Sequence, residues 1–282
     1  MFSLSDRLLA ALKEDGYDCD VTTQAFVDSR SKGNADIIAK ENGIFCGETL
    51  FETLNALFNQ TLTLSAHFRE GQHFNRGDCL ATFSGPVATL LGLERVMLNL
   101  LQRSCGIASL TQAYVQALND EKIQILDTRK TLPLWRDLDR LAVQAGGGYN
   151  HRFNLSDMML IKENHLQALA QQQGLSSLPD CLSQFKDAKP NLKIEIEIEK
   201  MQQLESFNLN SVDYVLLDNF SLSDLDLAIG FCKLNYPKLK IEVSGNITLE
   251  TIKRYRNKAI HRISCGALTH SVPACDLSFL IR

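Results

Sequence analysis

Cations recur where apolar runs give way to loops. Arg129 and Lys130 follow the run QILDT, His151 and Arg152 follow three glycines in GGGYNHR, and Lys162 ends MMLIK. An arginine fork can grip a carboxylate or phosphate through two parallel hydrogen bonds, while a lysine supplies a point charge. Each alone would be a solvated loop cation. Gathered at successive strand ends they read as one anion site. The formal net charge is −4, so no global positive field exists to hold nucleic acid or an acidic membrane. Anion binding must therefore be local.

Acids supply the complement. Strict alternation in IEIEIE puts Glu195, Glu197 and Glu199 on one face of a strand, and Asp218 ends the next strand in DYVLLD. On an antiparallel sheet that face would simply meet water. In a barrel it points into the lumen, where carboxylates need cations or a metal because unpaired buried charge is costly. A carboxylate pair beside phosphate-binding cations suits Mg²⁺, which takes few carboxylates plus substrate oxygens and water. Two late strand ends, Ser244-Gly245-Asn246 and Cys265-Gly266-Ala267, carry small residues whose backbone N–H groups can cradle a phosphate.

The elements that must position these groups follow from periodicity. Residues 3–14 read as an amphipathic helix with Ser3 as N-cap. Short alternating runs broken by Gly and Asn between 35 and 85 read as strands, and 88–118 reads as a long helix with a break at Cys105-Gly106. Strands at 122–127, 157–162, 193–199, 213–218, 240–245 and 262–267 then alternate with helices, which predicts a parallel sheet, open or closed into a barrel. Functional groups in such folds sit at strand C-termini. Thr131 can cap the helix after Lys130, with Pro133 in its first turn. Leu134, Trp135, Leu138, Leu141, Ala142 and Ala145 make one apolar stripe, and Gly146 can end it.

Eight cysteines are scattered singly without a CxxC pair, and the N-terminus lacks a signal-peptide pattern. No apolar run approaches the roughly 20 residues that span a bilayer. These features imply reduced thiols, no zinc site, no membrane insertion and a cytoplasmic location.

Seven motifs in one order, LDTRKTLP, GGGYNHR, LIKENH, IEIE, LLDNF, SGNIT and GALTHS, resemble the quinolinate phosphoribosyltransferase family, also called nicotinate-nucleotide pyrophosphorylases (carboxylating). LKEDGYDCDVTT, ENGIFCG and ERVMLN extend the resemblance over nearly the whole chain. It implies an α/β fold: an N-terminal open-faced α/β sandwich over 1–105 and an incomplete, TIM-like α/β barrel over 106–270, with the tail 271–282 packing back on the first domain. It also implies transfer of phosphoribosyl from phosphoribosyl pyrophosphate to quinolinate with decarboxylation, in de novo NAD biosynthesis.

By the same resemblance Thr128, Arg129, Lys130, His151, Arg152 and Lys162 line the quinolinate pocket, and Arg95 is delivered across a homodimer interface. Lys130, Glu197 and Asp218 are the expected catalytic residues, Glu197 and Asp218 also holding Mg²⁺. Ser244 to Asn246 and Cys265 to Ala267 are the expected phosphate loops, the latter through backbone N–H groups. The chain departs from the pattern at Leu134-Trp135, where the family has glycine after TLP, and at Cys265. Trp135 is expected in core or subunit packing. Two other readings are a related molybdenum-locus branch with another acceptor and a non-catalytic nucleotide-binding paralogue. The full cation set with LLDNF weighs against the first, and the presence of both cations and acids against the second.

Overall fold

The structure, a computed structural model, describes residues 3–58 and 61–282. Its helices are α1 (Leu4–Glu14), α2 (Val21–Phe26), α3 (Glu48–Leu57), α4 (Val87–Leu118), α5 (Arg136–Ala145), α6 (Glu163–Gln172), α7 (Leu178–Ala188), α8 (Met201–Ser206), α9 (Leu222–Asn235) and α10 (Ala267–His270). Its strands are β1 (Lys32–Ala39), β2 (Gly43–Ile44), β3 (Thr63–Ala66), β4 (His73–Phe74), β5 (Cys79–Pro86), β6 (Gln124–Leu126), β7 (Met159–Ile161), β8 (Ile194–Ile198), β9 (Tyr214–Asp218), β10 (Lys240–Ser244), β11 (Arg262–Ser264) and β12 (Leu277–Ile281). Ser3 caps α1 in a capping box with Asp6. The break expected in α4 is absent: the helix runs unbroken for 32 residues. Gly106 serves close approach instead, since a Cβ there would lie 2.2 Å from the carbonyl oxygen of Pro273.

The chain divides into two compact units. One comprises Met1–Ala113, Lys130–Gly148 and Leu268–Arg282; the other comprises Tyr114–Arg129 and Tyr149–Ala267. This division differs from a cut at 105/106, because α5 counts with the first unit. There the antiparallel sheet runs β12-β1-β5-β3. Its core gathers Phe45, Phe51, Phe74 and Phe83 with Leu90, Leu93 and Met97 of α4. Phe51 meets Phe83 edge-on at 5.8 Å between ring centroids. Alternation along β1 and β5 puts one face on this core.

In the second unit six parallel strands run β6-β11-β10-β9-β8-β7. Tyr149 adds a parallel bridge on the outer side of β6. Ile194, Ile196, Ile198, Val215, Leu217, Ile241 and Val243 are buried. The opposite face carries Glu195, Glu197, Asp218, Glu242, Ser244 and Arg262 by the pleat. Among the described residues no helix is long and apolar enough to cross a membrane.

Candidate active site

The polar face of the parallel sheet holds a buried charge cluster. Arg262 donates from Nη2 to Glu195 Oε1 at 2.8 Å and pairs through Nε with Glu242. His151 Nε2 lies 3.1 Å from Glu195 Oε2 and 3.4 Å from Glu242 Oε1. Both glutamates are fully buried. Strands β8 and β11 are three neighbours apart, about 14 Å in a flat sheet, and His151 lies beyond β6, about 24 Å away. Side chains cannot bridge the larger gap. The sheet therefore curls, and its concave face encloses the four groups. The arginine guanidinium also stacks on Tyr214, 3.5 Å from the ring centroid.

The cluster answers the desolvation problem, because each buried acid meets a base. Burial alone would lower the His151 pKa, but the hydrogen bonds and charges of Glu195 and Glu242 outweigh it and raise it to about 9. One contact opposes a second ring proton: the backbone N–H of Arg152 donates to His151 Nδ1 at 2.7 Å. Burial and the Glu242 charge raise the Glu195 pKa. Burial pushes on Glu242 too, but His151 and Arg262 hold that carboxyl below its ordinary value. The His151 backbone is fixed as well, its N–H donating to Asp127 Oδ1 at 2.7 Å.

Toward the strand C-termini the groups become accessible. Lys162, just past β7, pairs with Glu197 of β8. Asp218, ending β9, accepts from the Ser244 hydroxyl and, at 2.7 Å, from Asn219 Nδ2. Glu197, Glu199 and Asp218 bring carboxylate oxygens within 4.8 Å of one another. Such hard oxygen donors fit Mg²⁺. Gly245 turns with φ 98°, and a Cβ there would fall 2.2 Å from Asn219 Oδ1. Asn246 Nδ2 reaches the same oxygen at 3.2 Å. Ser244 is thus tied to Asp218 by its side chain.

Arg152 donates from Nη1 to Met158 O at 3.0 Å, but its Nε is buried with no hydrogen-bond partner. Burial first, and the charge of Arg129 second, lower its pKa. Two arginines thus lie close enough to repel. Thr128 lies between buried Asp127 and exposed Arg129. The expected phosphate role of the Cys265 N–H is not met, because that group donates to Leu126 O at 3.0 Å and belongs to the strand ladder. Gly266 and Ala267, beyond the strand, are half-buried. His165 caps α6, its Nδ1 accepting from the Lys162 N–H at 3.0 Å.

Arg95 and Lys130 belong to the first unit. Arg95 projects from α4 with a largely exposed side chain, its nearest acid Glu94 at 3.7 Å. Lys130 is exposed and its carbonyl accepts from the Thr269 hydroxyl at 2.8 Å. Thr131 does not cap α5: its hydroxyl accepts from Arg136 Nε at 3.0 Å, and the helix begins after Trp135 without a side-chain cap. Leu134 leaves the expected apolar stripe, being 65% exposed with φ 69°.

Family models decide what these residues belong to. The quinolinate phosphoribosyl transferase N-terminal domain matches residues 20–105 and the C-terminal domain of the same family matches residues 107–280. The chain belongs to the quinolinate phosphoribosyl transferase family. It is 39% identical over 259 residues to a Bacillus subtilis protein named "probable nicotinate-nucleotide pyrophosphorylase [carboxylating]", covering 92% of this chain and 86% of that protein. It is 34% identical over 275 residues to the nicotinate-nucleotide pyrophosphorylase [carboxylating] of Mycobacterium leprae, covering 96% of this chain and 95% of that one. The solved structure of NadC from Streptococcus pyogenes superposes with a TM-score of 0.87 at 38% identity, covering 99% of this chain and 95% of that one. The nicotinate-nucleotide pyrophosphorylase from Ehrlichia chaffeensis gives 0.89 at 31% identity, covering 100% and 99%.

In this member of the quinolinate phosphoribosyl transferase family, the acids of β8 and their need for cations are legible in the sequence. Their partners, Glu242 and Arg262, are not among the residues expected at the site. The signal lay in KIEVS and RIS, where a single charged residue interrupts an apolar strand on the face that β8 also charges.

Proposed function

We propose that this chain transfers the phosphoribosyl group of phosphoribosyl pyrophosphate to quinolinate with loss of CO₂, releasing pyrophosphate and giving nicotinate mononucleotide, a step of de novo NAD biosynthesis. The observation that carries this reading within the family is the Arg129 and Arg152 pair, with a buried Nε lacking a partner. Like charges gathered this way fit an anionic ligand, and quinolinate offers two carboxylates. Thr128, Lys130, Lys162 and Arg95 complete the proposed pocket, with Arg95 contributed by a second copy in a homodimer. His151 acts behind Arg152, whose backbone it holds.

Glu197 and Asp218, with Glu199 beside them, would hold Mg²⁺, which when bound balances the charge of the departing pyrophosphate. Loss of pyrophosphate leaves positive charge on the ribose carbon, and carboxylates fixed in place stabilise it without reorganising. The Ser244 hydroxyl and the Asn219 amide hold Asp218 in one orientation for this task. Lys162 has a double part: it neutralises Glu197 before substrate binds and turns to the dianion when substrate arrives. Backbone N–H groups of Gly245, Asn246, Gly266 and Ala267 are assigned to the phosphate. The nucleotide formed before CO₂ leaves carries a cationic pyridine ring, an electron sink that takes the electron pair of the broken C–C bond until the ring carbon gains a proton, so no covalent nucleophile is needed.

Purified protein with quinolinate, phosphoribosyl pyrophosphate and Mg²⁺ should yield nicotinate mononucleotide and CO₂. Acceptance of nicotinic acid or another base in place of quinolinate would overturn the assignment. Mixed Arg95→Ala and Lys130→Ala proteins, each inactive alone, should regain part of the activity if the site is shared; inactive confirmed hetero-dimers would count against sharing.

A further inference from the structure

Lys130 sits at one end of an irregular segment that the first unit grips at two points. At the near end, Thr269, 1% exposed, donates its hydroxyl to the Lys130 carbonyl at 2.8 Å. The Thr269 carbonyl in turn accepts from Arg103 Nη2 at 2.7 Å, and Arg103 forks onto Asp139 of α5 with two contacts of 2.8 Å. At the far end stands Arg7 of α1, only 7% exposed. Its Nη1 donates to the Leu134 carbonyl and, at 2.7 Å, to Asp137 Oδ1, while Nη2 meets the other Asp137 oxygen. The guanidinium lies 5.1 Å from the Trp135 ring centroid. The Nε closes the set on Ser3 O at 3.3 Å.

We infer that Arg7 is a positioning residue for substrate binding: it pins residues 134–137 to α1 and so sets where the segment presents Lys130. The chemistry of the segment asks for such a pin. Leu134 holds a left-handed backbone that a leucine avoids, and its side chain packs on little, being mostly exposed. A local turn supplies part of it, since the Trp135 N–H donates to the Leu132 carbonyl at 3.2 Å with Pro133 in the second position, but such a turn asks for glycine where Leu134 stands, and the Arg7 contacts hold it from outside. The carbonyl that this conformation turns outward is the one Arg7 takes. The fork, the stacking ring and the carbonyl acceptor match the planar donor set of arginine, and lysine cannot reproduce them. The departure Leu134-Trp135 thus supplies two of the three residues of the segment that Arg7 holds.

This inference rests on the proposed binding of quinolinate by Lys130, and the test separates the two. Arg7→Met and Arg7→Lys are compared with wild type in steady-state kinetics and in amide hydrogen exchange of residues 131–136. Both variants should raise KM for quinolinate by about fivefold or more, since small misplacements at a binding group are costly. KM for phosphoribosyl pyrophosphate should stay within about twofold, and exchange in 131–136 should speed up while exchange in α3 does not. An unchanged quinolinate KM, a parallel change in both KM values, or full function in Arg7→Lys would overturn the proposal. If Arg7→Met does not fold, Asp137→Ala removes the same fork from a partly exposed partner and is judged by the same criteria. If wild type itself fails to turn over quinolinate, the activity assignment falls, and the exchange of 131–136 alone decides whether Arg7 pins the segment.

Discussion

Replacing Arg262 with methionine tests the buried cluster directly. The change keeps the length and apolar stem of the side chain but leaves Glu195 and Glu242 facing one imidazole. Removing one partner from a buried ion pair costs about 3–5 kcal/mol, because the remaining charge stays desolvated. At roughly 2–4 °C per kcal/mol for a chain of this size, the melting temperature should fall by about 6–20 °C. The stacking on Tyr214 is lost in the same step. The second change, Glu242→Leu, removes the acid that arginine neutralised, and the double variant should recover at least half of the loss. Thermal melts of the two single variants and the double give the coupling energy, expected at about 1–3 kcal/mol. Raising salt should change little, since buried pairs are screened far less than exposed ones. A drop below about 2 °C, or a double variant no better than the sum of the singles, would refute the claim that the cluster is charge-balanced by Arg262.

Leu134→Gly should raise stability by about 0.5–1 kcal/mol, because relief of left-handed strain exceeds the entropy that glycine adds to the unfolded chain; a lower melting temperature would show that the exposed leucine contributes packing. The His151 pKa, raised from 6.5 to about 9, gives stability that is complete below pH 6.5 and is lost as pH climbs to about 9. His151→Gln should remove that slope, and parallel melting curves for variant and wild type would mean that the Arg152 N–H keeps Nδ1 unprotonated. Burial pushes Cys105 and Cys265 up to about 12, whereas Cys19 is exposed. A disulfide reagent on the native protein should therefore label Cys19 first, and rapid labelling of Cys265 would contradict its packing role.

The parallel strands were legible because each is a short apolar run ended by a polar or glycine residue, and the structure keeps all six within those runs. Ser3 was legible because a capping residue precedes a periodic helix. What failed was reading local signals without their partners. Cys105-Gly106 looks like a helix break only if nothing approaches the glycine, and here the chain near Pro273 does. Thr131 and Pro133 form a plausible helix start, but Arg7 holds Leu134 and Asp137, and α5 begins three residues after Pro133. The Cys265 N–H is available only if no strand lies beside it, and here β6 does. In the site, residue types were readable and pairings were not: Lys162 with Glu197, and Ser244 with Asp218, join residues far apart in sequence.

The loop after β10 meets the loop after β9 with no spare space. A side chain at position 245 would collide with the amide of Asn219, and that amide also receives Asn246. The two loops therefore cannot vary independently. Shortening position 219 does not open position 245, because the Asn219 backbone nitrogen also lies 2.7 Å from such a Cβ and φ at Gly245 is 98°, and the shortening removes a donor from Asp218. The need for glycine at 245 is thus set by the backbone as well as by the side chain. A library randomising both positions should therefore return glycine at 245 whatever stands at 219.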